Sequence, residues 1–366
     1  TGIDLVEQMI RIGAGEKLSL AQGDVKLKGW AVESRIYAED PTRNFLPSTG
    51  RLVTYRPPAE GQVDGITIRN DTGVTEGGEV SIYYDPLIAK LVTHAGTRAE
   101  AIDAQARALD EFVIDGIRHN IPFLAALMQH ERWRAGRLST GFIAEEYPDG
   151  FRPSTPTGET AHILASVAAA VDHVCNQRKR QISGQMPTQR PIVFQRERTV
   201  VFDALAIDVV LDDADGKILV RIEDGSRHAH HLESDWVPGD KVWRGAIDGE
   251  PSAVQIRPLL NGFSLFHHGV AAEMLVYTRR EAALAALMPV RKTNSISKSL
   301  ACPMPGLMRA ILVAEGQAVK AGEALCMIEA MKMENVLRAE TDVTIKRIVV
   351  TEGESLAIDA VIMDFL

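Results

Sequence analysis

Between residues 215 and 262 the chain is cut by Asp215-Gly216, Asp224-Gly225, Pro238-Gly239, Asp248-Gly249 and Asn261-Gly262. Pairs of this kind let the backbone take positive φ at little steric cost and close tight links between short antiparallel strands. Strands punctuated at this recurrence build a meander or a barrel. Directly upstream, residues 159–180 read as one long helix. Ile163, Leu164, Val167, Ala168, Val171, Val174 and Cys175 fall on one stripe, and Arg178, Lys179 and Arg180 suit the negative end of its dipole. Ser183-Gly184 is expected to end it. A helix with an apolar stripe beside such a sheet packs against it or inside it.

The flanks differ in kind. At 366 residues the chain has room for two or three domains. Residues 1–152 mix periods: a helical stripe of Ile3, Leu5, Val6, Met9, Ile10 and Ile12 closed by Gly13 and Gly15, then a strand from Trp30 to Tyr37 stopped by Pro41. A strand pair, or a strand and turn, follows over 82–92. Helices are expected over 97–112, with Glu100 in the first turn, and over 121–129. This is an α+β lobe. Pro, Thr, Ser and Gly between 148 and 158 mark a linker, the helix-plus-strands unit fills 153–290, and 291–298 reads as a second linker.

Residues 299–366 contain a weak internal repeat. Arg309-Ala-Ile-Leu-Val-Ala-Glu-Gly316 resembles Lys346-Arg-Ile-Val-Val-Thr-Glu-Gly353, and each copy runs on to a short apolar strand, 325–328 and 361–365. Two copies related by a pseudo-twofold make a small all-β sandwich. The segment Glu329–Glu334 then falls on a hairpin between the copies, at the end opposite the termini.

Composition removes several functions. Forty Lys and Arg against forty-nine Asp and Glu give a net charge of -9, which leaves no basic excess to neutralise nucleic-acid phosphates. The longest apolar run, 282–290, is too short to cross a bilayer. Cys175, Cys302 and Cys326 are odd in number and far apart, which suits a reducing compartment rather than a disulfide framework. His228, His230 and His231, with His267 and His268, offer imidazoles, yet no carboxylate or Cys near them in sequence completes a metal-ligand set, and no metal site is expected in this chain. Residue 1 is Thr and the helical pattern begins at once, so upstream sequence is expected.

The most informative residue is Lys332, inside Glu329-Ala330-Met331-Lys332-Met333-Glu334-Asn335. A lysine amine becomes an attachment point when a tight turn presents it to solvent, and methionines on either side give a modifying enzyme adaptable apolar flanks. The plain alternative is a surface lysine between two core methionines. Its place between the repeat copies, with Pro303-Met304-Pro305-Gly306 upstream, favours modification.

These strings resemble the biotinyl domain of biotin-dependent carboxylases. The resemblance implies biotin in amide linkage on Lys332, with Ala330, Met331, Met333 and Glu334 as the recognition motif. A lipoyl domain, which shares the fold, typically has Asp before its lysine and Ala after it. The first lobe resembles the C-terminal part of ATP-grasp biotin carboxylase through Ala31–Pro41, Tyr83–Lys90 and Phe112–Asn120. That resemblance implies a catalytic Arg35, whose guanidinium stabilises the enolate of biotin; structural pairing of Arg35 with Glu39 or Asp40 is the alternative. It also implies an active-site or dimer position for Asp85 and an adenine contact for Ile114. The family's nucleotide loop, metal-binding glutamates and bicarbonate site would precede residue 1, so ATP and Mg or Mn would be bound by a longer subunit.

The whole order is similar to acyl-CoA carboxylase α subunits, with a multidomain α+β architecture: carboxylase lobe, long helix with antiparallel β-barrel, and all-β biotinyl domain. With no carboxyltransferase between barrel and carrier, the resemblance implies a separate carboxyltransferase β subunit, an α6β6 dodecamer, and substrates bicarbonate, ATP and an acyl-CoA. Tyr147-Pro-Asp-Gly-Phe151 and the long helix look more like the propionyl-CoA branch, with the 3-methylcrotonyl-CoA branch or a broad acyl-CoA carboxylase α subunit as the alternatives. Biotin protein ligase would be a further partner. A non-catalytic biotin or lipoyl carrier is the rival class. The bacterial cytoplasm is the expected compartment, or the mitochondrial matrix in a eukaryote.

Overall fold

The computed structural model describes residues 1–81, 83–182, 195–203, 205–214, 217–223, 228–288, 299–330 and 333–366. The first lobe is built on a sheet in the order Trp30–Tyr37, Leu87–Ala95, Ile66–Thr72, Gly61–Val63. The helix Arg98–Glu111 packs on it, capped by Thr97 and Glu100 in a reciprocal box. The expected strand Trp30–Tyr37 and helix Ile121–Gln129 have the predicted bounds. Within 82–92 the strand starts only at Leu87, and Ile82 lies outside the described residues.

The turn-rich segment forms a closed antiparallel barrel in sequence order, from Glu197–Phe202 to Val270–Tyr277, with eight strands among the described residues. Asp248-Gly249 is a two-residue link with φ of 53° and 87°, between Ile247 and its partner Glu250. Two details depart from the sequence reading. Gly262 already pairs with Leu259, so Leu260 and Asn261 make that turn. His268-Gly269, not foreseen as a turn, links His267 to Val270 with φ of 50° and 81°. Asp215-Gly216 and Asp224-Gly225, like Ser183-Gly184, lie outside the described residues.

The helix Gly158–Arg180 contacts at least six of the barrel strands among the described residues, and every residue from Leu164 to Val171 is buried. The expected single stripe is therefore replaced by burial all round. A helix covered on every side is a core element, and the small residues Ala165, Ser166, Ala169 and Ala170 let strands approach where a stripe model expects solvent. Leu164, Val167 and Val171 each contribute about 1.5–3 kcal/mol of burial against Val200, Val220, Val254 and their neighbours.

Barrel and lobe are joined through buried polar contacts. Gln255 donates to the Phe112 carbonyl at 3.0 Å, and the His268 amide donates to Asp110 at 2.8 Å. Asp110 is fully buried, and His267 Nδ1 lies 3.1 Å from it. Sequence found no carboxylate for these histidines; the fold brings one from the other domain. The two rings stack at 3.7 Å and 22°, so their in-plane lone pairs run side by side, and His267 Nδ1 also faces the Ala253 carbonyl. The expectation that no carboxylate completes a ligand set here is corrected: Asp110, His267 and His268 bring ligand atoms within 4.8 Å of one another, a group that could hold a metal ion as well as join the two domains. His230 is likewise taken up by Asp248, at 2.8 Å.

The last domain has two four-stranded sheets. One runs Met333–Arg338, Ala324–Ala330, Gly306–Ile311, Ser355–Leu356, and the other Ser299–Ala301, Val361–Phe365, Val343–Ile348, Ala318–Val319. Exchanging the repeat copies turns one order into the other, which is the pseudo-twofold read from the sequence. Cys302 and Cys326 are buried in its core, where desolvation pushes the Cys326 thiol up to about 12, so the pair serves packing.

Candidate functional site

Ala324–Ala330 and Met333–Arg338 pair in register down to Ala330 opposite Met333. Met331 and Lys332, which connect them in the chain, lie outside the described residues. The hairpin is braced from beneath. A Cβ on Gly306 would sit 2.6 Å from the Glu329 carbonyl and 2.7 Å from Ile328, so only glycine allows this approach. Met304 is buried, and the Asn335 amide lies against its sulfur and donates to the Met333 carbonyl at 3.3 Å. Arg309 pairs with Glu329 at 2.5 Å. Met333 and Glu334 themselves are exposed. A rigid base under exposed flanks fits a covalently attached cofactor and gives a modifying enzyme access.

Arg35 projects from the first strand of the lobe and is more than half exposed. Its charge is held by Tyr37 first and by Glu33, 3.5 Å away, both of which raise its pKa. It does not pair with Glu39 or Asp40. Asp40 instead accepts from Thr42, and Glu39 is half-buried, so desolvation pushes its carboxyl up from the ordinary value. Sequence reasoning missed Asn120, a buried amide that accepts from the Tyr37 amide at 2.9 Å and donates to the Arg35 carbonyl at 3.1 Å. Nothing short of the fold could have placed it there.

Asp85 is exposed in the loop entering Leu87–Ala95, beside the exposed Tyr83 and Tyr84. Pro86 joins this loop to the Arg35 strand by accepting from the Ala38 amide at 2.8 Å. Arg35 and Asp85 therefore lie toward the same end of one strand pair. Ile114 lies elsewhere. It is 1% exposed, pairs with Tyr55, and borders a 660 Å³ cavity between lobe and barrel.

Residues 33–145 match the model of the biotin carboxylase C-terminal domain, 164–291 that of the propionyl-coenzyme A carboxylase BT domain, and 298–365 that of the biotin-requiring enzymes. The chain belongs to the biotin-dependent carboxylases. It is 47% identical over 380 residues to the propionyl-CoA carboxylase alpha chain of Ruegeria pomeroyi, covering 100% of this chain and 55% of that one. The human mitochondrial propionyl-CoA carboxylase alpha chain is 35% identical over 361 residues, covering 97% and 49%. The rat mitochondrial methylcrotonoyl-CoA carboxylase subunit alpha is 30% identical over 377 residues, covering 100% and 51%. The chain spans about half the length of these relatives. Its parts are those of a family α subunit: the rear lobe of a biotin carboxylase, a helix-filled barrel and a biotinyl domain.

Proposed function

We propose that this chain is the C-terminal portion of a propionyl-CoA carboxylase α subunit, divided at 1–152, 153–290, a linker at 291–298 that lies outside the described residues, and 299–366. The observation that carries the reading is the order of parts: the helix-filled barrel joins lobe and carrier directly, leaving carboxyl transfer to another polypeptide. The 47% identity to a bacterial propionyl-CoA alpha chain, against 30% to a methylcrotonoyl-CoA subunit, favours the propionyl branch.

Lys332 would hold biotin by an amide bond, and the bound group would supply the nitrogen that carries the carboxyl. The chain's own residues prepare for it. Arg35 offers a permanent, exposed positive charge to the anionic centre formed during carboxylation, the task a guanidinium performs without proton bookkeeping. Asp85, entering the same strand pair, would line that site or a dimer contact; Ile114, buried here, would meet adenine only through the cavity it borders. The residues that bind ATP, Mg or Mn, and bicarbonate belong to the rest of the subunit. Tethering on the biotinyl domain keeps the local concentration of carrier high at both reaction centres.

The partners on this reading are a carboxyltransferase β subunit in an α6β6 assembly and a biotin protein ligase. No helix among the described residues is long and apolar enough to cross a membrane. The compartment would be the cytoplasm of a bacterium, or the mitochondrial matrix in a eukaryote.

The test uses the full-length subunit purified with its partner. ATP-dependent fixation of labelled bicarbonate is compared for propionyl-CoA and 3-methylcrotonyl-CoA, with Lys332→Ala as control. Preferential labelling of propionyl-CoA, lost in Lys332→Ala, is expected. Preference for 3-methylcrotonyl-CoA overturns the branch, and labelling that survives Lys332→Ala overturns the carrier assignment.

A further inference from the structure

The segment after the Arg35 strand has an unusual backbone. Asp40 caps a short 3-10 turn by accepting from the Thr42 amide and hydroxyl, at 2.9 and 2.6 Å. Asn44 and Phe45 then both take left-handed φ, 54° and 58°; Asn adopts it readily, whereas a bulky Phe rarely does and must be held there by its surroundings. One anchor is visible: the Phe45 ring packs edge-on against Phe123, with centroids 5.1 Å apart. The chain returns as a small ladder, Glu39 opposite Pro47 and Asp40 opposite Leu46. Phe45 is thereby held by the lobe core, while the next side chain, Leu46, packs against the core of the biotinyl domain.

The end of the biotinyl domain facing this hairpin can be identified. Ile358, 55% exposed, borders the inter-domain cavity together with Pro41, Thr42, Ser48 and Thr49 of the lobe. Its loop is tied to the Pro303–Gly306 segment: the Cys302 amide donates to Ala360 and the Asp359 amide to Cys302, both at 2.8 Å. Leu356 pairs with Gly306, whose missing Cβ would lie 3.3 Å from that of Ala330. The contacting end is therefore the end that carries the Ala330–Met333 hairpin.

We propose that the Asp40–Ser48 hairpin is a docking seat for this chain's own biotinyl domain, with Leu46 as its apolar contact and the Ile358 loop as the carrier's counterpart. The seat is continuous with the Arg35 strand, so docking there brings the carrier's modified end to the lobe that holds Arg35. The left-handed backbone at Phe45 turns the consecutive side chains Phe45 and Leu46 to opposite tasks. This inference rests on the carboxylase reading and adds to it a specific intramolecular surface.

The test is made on the full-length biotinylated subunit with Leu46→Asp and, separately, Ile358→Asp. Two rates are measured: label from bicarbonate captured on the tethered biotin, and ATP cleavage driven by free biotin, which needs no docking. Each variant is expected to lose about tenfold in the tethered rate with the free-biotin rate unchanged. The Ile358 side chain is mostly exposed, so that variant tests docking without disturbing a core. Unchanged tethered rates in both variants would overturn the seat, as would an equal fall in both rates. A wild-type subunit inactive on tethered and free biotin alike would instead overturn the carboxylase reading.

Discussion

Asn120 grips the strand of Arg35 from a distant part of the sequence, accepting a hydrogen bond from the Tyr37 amide and donating one to the Arg35 carbonyl. One buried side chain thus fixes the backbone on both sides of Ile36, and the alternation of the strand does the rest in aiming Arg35 outward.

Asn120→Ala should leave two partly buried backbone groups short of a partner and cost about 1–3 kcal/mol. In the full-length subunit it should lower kcat more than it raises KM for bicarbonate, because it loosens a positioned charge. Asn120→Asp, which keeps the acceptor but turns a carboxylate oxygen toward the Arg35 carbonyl in a buried site, should cost at least as much as Asn120→Ala. Steady-state carboxylation beside urea unfolding of the three proteins checks both statements.

The lobe–barrel joint should fail in acid. Asp115 is partly buried, which by itself raises its pKa, but hydrogen bonds from Lys241 at 2.6 Å and Arg257 at 2.8 Å outweigh that and hold it below the usual carboxylate value. A depressed folded pKa contributes stability above the unfolded value, near 4, that is lost as pH falls through the folded one. Asp115→Ala should cost about 1–3 kcal/mol at pH 7, since the partners are roughly 40% exposed, and should flatten the stability profile below pH 4. Thermal melts of both proteins between pH 3 and 7 would show it, and equal slopes would refute it.

His268 makes a second pH-dependent contact. Burial, then the neighbouring His267, push its pKa down to about 4, while Asp110 opposes and Arg134 adds to the shift. A base depressed in the folded state contributes stability above its unfolded pKa, near 6.5, and loses it as pH falls toward 4. His268→Asn removes the titration and suits the left-handed turn, where φ is 50°. Its melting temperature should match or exceed wild type at pH 7.5 and fall less on acidification to pH 5.

Gly306→Ala should impair modification without touching the lysine. The new methyl meets the Glu329 carbonyl and Ile328, so the base of the hairpin must shift, at about 1–3 kcal/mol. Incomplete biotinylation, read by intact mass after co-expression with a ligase, is the expected outcome. Full biotinylation at the wild-type rate would show that the hairpin tolerates the shift.

Much of this was legible locally. Turn dipeptides, a capping box, the stripe of a helix and a repeated octapeptide act over a few residues, and so the three units, their classes and the motif around Lys332 could be read along the chain. Even the symmetry of the biotinyl sheets follows from the repeat. The tertiary structure alone decided whether the long helix lay on the barrel or inside it, because Leu164–Val171 is apolar or small on every side and its stripe did not forbid either. It alone brought Asp110 to His267, Asp115 to Arg257, Asn120 to Arg35 and Leu46 to the biotinyl core. Such pairs join residues far apart in sequence, and no local periodicity encodes them. The polar pairs exist because burial leaves a polar or charged group no alternative but the partner that the packing delivers, and the Leu46 contact because it removes apolar surface from water.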